Sequence, residues 1–220
     1  MLNQEILSIS IPALPPEDRI FVALEAMNDH HVSHLPVIRD QKLLGTISED
    51  ILLNAGSDDM LLDELQGAFN PTTVPGNHHI LETIHVMNES QLSLIAVTGK
   101  DLDYLGAITV TELLRSAGKL IGAGDPGAIV VLEMDKVNFS FAEISKLVET
   151  NDAQITQLNT WFDTQNNLFY LTLRINRQEI SDIIATFQRY EYRVKYYLGE
   201  ESYENELRSN YNHLMNYLSI

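Results

Sequence analysis

The sequence predicts an α+β protein. A unit of helix, strand, turn, strand and helix occurs twice in the first half of the chain. A glycine-rich stretch follows, and beyond it the order of elements changes to βαββαβ. Of the 220 residues, 45% are hydrophobic, so a packed core can form and wholesale disorder is not expected.

The duplication is read at a near-constant offset. IFVALEAMND (20–29) aligns with ILETIHVMNE (80–89) at an offset of 60, and VSHLPV (32–37) with LSLIAV (92–97) at the same offset. LGTIS (44–48) aligns with LGAIT (105–109) at 61, so the second turn carries one extra residue. Leu52-Leu53 then falls on Leu113-Leu114. Ile20, Ala23, Leu24 and Met27 keep the spacing of one apolar helix face. Asp40-Gln41-Lys42 and Thr98 to Asp103 have the polar character of hairpin turns, and Leu43 to Ile47 and Tyr104 to Ile108 read as short strands. One such unit is too small to stand alone, so the two copies, 1–66 and 67–120, should pack together.

GKLIGAGDPG (118–127) has four glycines and a proline in ten residues and reads as a flexible linker, with 121–127 separating the units. Beyond it, Ala128 to Met134 is an apolar strand. Ser140 with Glu143 forms a capping box for a helix through Phe141, Ile144, Leu147 and Val148. Ala153 to Phe162 and Leu168 to Ile175 alternate like strands paired around DTQNN. Asn176 and Glu179 should cap a helix carrying Ile180, Ile183, Ile184 and Phe187, and Tyr192 to Leu198 closes the sheet. That order, spanning 128–200, is the ferredoxin-like split βαβ plan. Trp161, Phe162, Phe169 and Tyr170 are expected in its core or at a dimer interface. Residues 201–220 read as a terminal amphipathic helix with Tyr203, Leu207, Tyr211, Leu214 and Leu218 on one stripe.

Composition narrows the function. Fourteen Lys and Arg against 31 Asp and Glu give a net charge of −17, which disfavours nucleic acid and anionic membranes as partners. Polyphosphates are handicapped too, unless cations are focused at one cleft. There are no cysteines, so disulfides and Cys-ligated metals are excluded. No apolar run reaches the length of a membrane span and no signal-like leader opens the chain, so a cytoplasmic location is expected. GxSxG, a P-loop and a strand-following GxGxxG are all missing, which points away from an enzyme. His30, His31 and His34 crowd one loop and His78 and His79 another, but their spacing matches no metal motif and no metal is expected.

The tandem copies, with LPV…D…LLGTIS and LIAV…YLGAITVTELL, resemble a CBS-domain pair over roughly residues 1–120. Residues 127–199, with MDKVNFSFAEISKLV at the first turn, resemble an ACT domain. The combination is similar to the acetoin-utilisation regulatory proteins of bacteria. The resemblance implies a non-catalytic regulatory protein, with an adenine nucleotide or another adenosine derivative bound between the copies. It also implies a homodimer, because CBS pairs meet other pairs and ACT sheets join edge to edge. In the family a Ser or Thr ends the second strand after a Gly, and an Asp three residues later takes the ribose hydroxyls. A basic residue ahead of the hairpin meets the phosphates.

Carried onto this chain, the ligand-binding candidates are Gly106, Thr109 and Glu112 in the second copy and Ser48 and His34 in the first. Each copy keeps half of the pattern. Ser93-Leu94 stands where the second copy would carry its cation, and Ile51 where the first would carry its carboxylate. Thr109 and Glu112 also form a T-x-x-E capping box, and Ser48 is a good N-cap, so each has a purely local explanation. In the ACT part Val137-Asn138-Phe139 replaces the family's Gly-bearing turn, Asn being suited to a left-handed conformation. Two other functions fit the same residues: a ligand-free dimeric scaffold with degenerate sites, and a metal or amino-acid sensor.

Overall fold

The duplication seen in the sequence is carried into the packing. In this structure, a computed structural model that describes residues 1–199, the first copy runs α1 (Ile20–His30), β1 (His34–Arg39), β2 (Lys42–Ser48) and α2 (Glu49–Leu53). The second runs β3 (Thr73–Pro75), α3 (Ile80–Ser90), β4 (Leu94–Thr98), β5 (Tyr104–Thr109) and α4 (Val110–Leu120). Equivalent side chains fill equivalent core positions: Ile20 and Ile80, Met27 and Met87, Leu35 and Ile95, Val37 and Val97, Ile47 and Ile108. Each fully buried aliphatic contributes about 1.5–3 kcal/mol. Even the helix ends correspond. His31 and Gln91 adopt left-handed backbone, with φ of 53° and 52°, and close α1 and α3.

Both hairpins are antiparallel, β1 with β2 and β4 with β5. The short β3 adds a parallel strand to β4, Val74 opposite Val97. At the same offset in the first copy, Leu14 makes a single parallel bridge to Val37. The copies meet through Leu94 and Ala107, which belong to the first copy's core cluster. Their hairpin turns also touch: Lys42 bridges Asp103, and the Tyr104 N–H donates to the Gln41 carbonyl at 2.8 Å.

The copies interleave rather than dividing at residue 66. Leu62, fully buried, packs in the first copy's core, and Leu61 bridges Arg19. The N-terminal segment crosses instead to the second copy, where Leu2 bridges His79 and Ile6 and Leu7 pack on the second core. Asn3 is fully buried there: its Nδ2 donates to the Pro75 carbonyl (2.8 Å) and its Oδ1 accepts from Thr83 Oγ1 (2.6 Å). The two crossing segments start alike. Glu5 accepts from the Leu2 N–H at 2.7 Å and Glu64 from the Leu61 N–H at 3.0 Å.

Gly45 and Gly106 lie beneath these crossings with φ of 151° and 150°. A Cβ on Gly45 would stand 2.8 Å from Phe69 Cβ and 2.9 Å from the Asn70 carbonyl oxygen, and one on Gly106 would stand 3.2 Å from Leu7 Cδ1. Only glycine combines that backbone with so close an approach.

The chain divides into two compact units, Met1–Leu120 and Ile121–Ile220. Gly118, Lys119 and Leu120 form the last turn of α4 instead of starting the linker. The remainder is not loose: Ile121 and Ala123 lie with Gln157, Asn159 and Thr172 around a small cavity on the second unit's sheet. There Arg174 Nη1 donates to the Asp125 carbonyl at 2.6 Å.

The second unit runs β6 (Ala128–Met134), α5 (Phe141–Glu149), β7 (Ile155–Asp163), β8 (Leu168–Ile175), α6 (Ser181–Arg189) and β9 (Arg193–Leu198). Its strand order, β7-β8-β6-β9, all antiparallel, is that of the ferredoxin-like plan. Alternate residues of β6 and β8 pack against Ile144, Val148, Ile183 and Phe187. Ser140 caps α5 through the Glu143 N–H. Asn176 does not cap α6. Its Oδ1 accepts from the Gln154 N–H at 2.8 Å, and α6 opens after Ile180 with Glu179 accepting from the Ser181 N–H. The β6–α5 turn closes as a 3-10 helix, Lys136–Asn138, with no left-handed residue at Asn138. Of the four aromatics, Phe169 is in the core. Tyr170 is buried under a 4.3 Å stack with Trp161, and Trp161 and Phe162 are exposed. The helix expected over 201–220 lies outside the described residues.

Candidate functional site

A cleft of about 770 Å³ opens between the two copies. Three segments build it: the β5–α4 junction from Thr109 to Glu112 with Arg115, the N-terminal crossing from Leu7 to Ile11, and the end of α1 at His30 and His31. Residues about a hundred positions apart meet here because the N-terminal segment belongs structurally to the second copy. The Ser8 N–H donates to the Ala107 carbonyl at 2.8 Å, and Ser8 Oγ accepts from the Thr109 N–H at 3.3 Å.

Thr109 serves the helix first. Its Oγ1 accepts from the Glu112 N–H at 3.2 Å, which caps α4, and it lies 3.5 Å from Ser8 Oγ. Glu112 does not complete the reciprocal half of a capping box, because Ser8 has taken the Thr109 N–H. Its carboxylate turns instead to Arg115, with Oε1 2.5 Å from Nη1. The two are one helical turn apart, so they share a face of α4. Arg115 and Ser8 are the site residues that sequence reasoning passes over. The spacing Glu112-x-x-Arg115 was a usable signal for the first; nothing local marks Ser8, whose place depends on the crossing.

The other candidates are not brought into this cleft. Gly106 lies under Leu7, where its role is close packing. Ser48 caps α2, its Oγ accepting from the Ile51 N–H at 3.3 Å. His34 ties the two copies together. The Ser93 N–H lies 3.3 Å from His34 Nδ1, Ser93 Oγ 3.0 Å from the same nitrogen, and the Ser33 N–H donates to Ser93 Oγ at 3.1 Å. Burial holds the imidazole below its usual value, with Asp50 pulling the other way. A cation at His34 is therefore disfavoured, and its lone pair already has donors.

Among the described residues no group of three or more His, Asp or Glu is placed to hold a metal ion, and no helix is long and apolar enough to cross a membrane.

This duplicated unit with its inter-copy cleft is that of a CBS-domain pair. Residues 4–58 match the CBS domain family, so a CBS domain is present in the chain. The structure is similar to that of a CBS domain pair/ACT domain protein from Thermotoga maritima, at 15% identity and a TM-score of 0.50, covering 55% of this chain and 99% of that one. It is also similar to a protein from Vibrio cholerae assigned to acetoin utilisation, at 20% identity and a TM-score of 0.48, covering 57% of this chain and 98% of that one. CBSX2, solved in complex with AMP, matches at 20% identity and a TM-score of 0.44, with 54% of this chain and 97% of that one covered.

Proposed function

We propose that residues 1–120 form a non-catalytic regulatory module whose inter-copy cleft takes an adenosine-containing small molecule. The observation that carries this is the lining of the cleft. One carboxylate, Glu112, stands among the hydroxyls of Ser8, Ser10, Thr109 and Thr111 and the apolar side chains of Ile9, Ile11 and Val110. A carboxylate accepts both hydroxyl protons of a ribose, and apolar walls suit the faces of a purine. The ligand shifts the arrangement of the copies by its differential affinity for their alternatives. The linker, pinned to the second sheet through Arg174 and Asp125, passes that change to the ACT-like unit.

The module works as a homodimer. Exposed apolar side chains recur at equivalent places on the two copies: Phe21 and Leu81 on α1 and α3, Leu53 and Leu114 on α2 and α4. A groove lined by Ile84, Met87, Leu113 and Leu114 runs between α3 and α4. A second copy of this chain supplies matching apolar area to such a pseudo-symmetric face.

Titration calorimetry and thermal melting with adenosine and its phosphates test the proposal. Ligand at 100 times its dissociation constant should stabilise the fold by about 2.7 kcal/mol. Glu112→Gln should weaken binding by about 1.5–3 kcal/mol, roughly 10- to 150-fold. Light scattering on the same samples should return a dimer. Failure of every adenosine compound to bind would overturn the ligand assignment, and a monomer would overturn the assembly.

A further inference from the structure

We infer that Arg115 sets how much negative charge the cleft accepts, so that the preferred ligand is a nucleoside carrying a single phosphate. This rests on the cleft being a nucleoside site and narrows it. Sequence reasoning places the phosphate-binding cation ahead of the hairpin, where this chain has Ser93-Leu94. The structure supplies a cation from another element. Arg115 reaches the same cleft from α4, one turn beyond Glu112.

Among the described residues, Glu112 and Arg115 are the only permanently charged side chains lining the cleft, and they are paired with each other. The other bases there are two imidazoles, His30 and His31. With no ligand, the pair keeps the guanidinium next to the carboxylate that would meet the sugar. An ion pair this exposed, with 57% of the Arg115 side chain and 31% of Glu112 open to solvent, stabilises little and is released at low cost. A phosphate offers the guanidinium a bidentate partner in exchange, while Glu112 turns to ribose hydroxyls. A second or third phosphate meets no further permanent cation among the described residues of the cleft, and the net charge of −17 works against it.

The test is calorimetry on the full chain with adenosine, AMP and ATP, in magnesium-free buffer, for the native protein, Arg115→Gln and Arg115→Lys. The native protein should bind AMP about tenfold more tightly than adenosine, and ATP more weakly than AMP. Arg115→Gln should erase the roughly tenfold preference for AMP over adenosine, and Arg115→Lys should retain part of it. Equal native affinities for adenosine and AMP, an equal loss of both in Arg115→Gln, or tighter binding of ATP than AMP would each overturn the role of Arg115. In those cases the nucleoside site itself survives. If none of the three binds the native protein, the site assignment fails and this inference goes with it.

Discussion

Asn3 offers the most direct test of the crossed architecture. It is fully buried and joins the N-terminal segment to two separate elements of the second copy, Pro75 on β3 and Thr83 on α3. Asn3→Ala removes a donor and an acceptor together. It leaves the Pro75 carbonyl without this donor and the Thr83 hydroxyl, also fully buried, without its acceptor. The stranded Thr83 hydroxyl costs about 1–3 kcal/mol, and the bond lost at the Pro75 carbonyl, which keeps the His78 N–H at 3.2 Å, about 1 kcal/mol more, so a loss of roughly 3 kcal/mol is expected. For a unit of this size that lowers the melting temperature by about 10 °C. Urea denaturation measures the loss, and amide hydrogen exchange locates it. Exchange should accelerate in β3 and α3, not in α1, β1 and β2, although Asn3 precedes the first copy in sequence. Thr83→Val added to Asn3→Ala should cost less than the sum of the two changes, because the stranded hydroxyl is gone. A loss under about 0.5 kcal/mol, or exchange rising mainly in the first copy, would refute the crossing as a source of stability.

Two smaller effects accompany it. Burial depresses the His34 imidazole from its usual 6.5, so on acidification the unfolded chain binds that proton first. Stability from this site is therefore full above about pH 6.5 and falls as the pH drops toward the lower folded value. His34→Gln should flatten the dependence of the urea midpoint between about pH 7 and 5, and an unchanged slope would sink the assignment. The Tyr104 hydroxyl is buried with no hydrogen-bond partner among the described residues, and burial pushes it up to about 12. Tyr104→Phe should be neutral or stabilising by up to about 1 kcal/mol in thermal melts, and a clear loss would reveal a partner for that oxygen.

What could be read in advance followed periodicity. The strand Ala128–Met134 reads as an apolar run and its partner Leu168–Ile175 as an alternating one, and the structure has both with those bounds. Ile20 and Ile80 align at the same offset at which they pack. The parallel strand Thr73–Pro75 leaves no mark in the sequence, because three residues carry no period. The start of α6 is not legible locally, because Asn176 and Glu179 have the composition of caps and the competing Gln154 N–H is distant in sequence. The crossing left one trace, the Leu-x-x-Glu of Leu2–Glu5 repeated at Leu61–Glu64, outside the helices that make the duplication obvious. The cleft was half legible for the same reason. Thr109 and Glu112 belong to the repeat and Arg115 follows Glu112 by one helical turn, whereas Ser8 is near them only in three dimensions.

The crossed segments also bear on the order in which the protein can be made. Leu62 leaves the ribosome soon after the core it completes, so the first copy can close early. Leu7 and Ser8 must wait about a hundred residues for Ala107 and Thr109. At a typical elongation rate of about 5–20 residues per second, that is roughly 5–20 seconds with Ile6 and Leu7 unburied. Such long-range closure is the slow kind, and it falls on the segment that walls the inter-copy cleft. The cleft is thus among the last features of the first unit to take shape, because Leu7 and Ser8 must first find residues near the end of that unit.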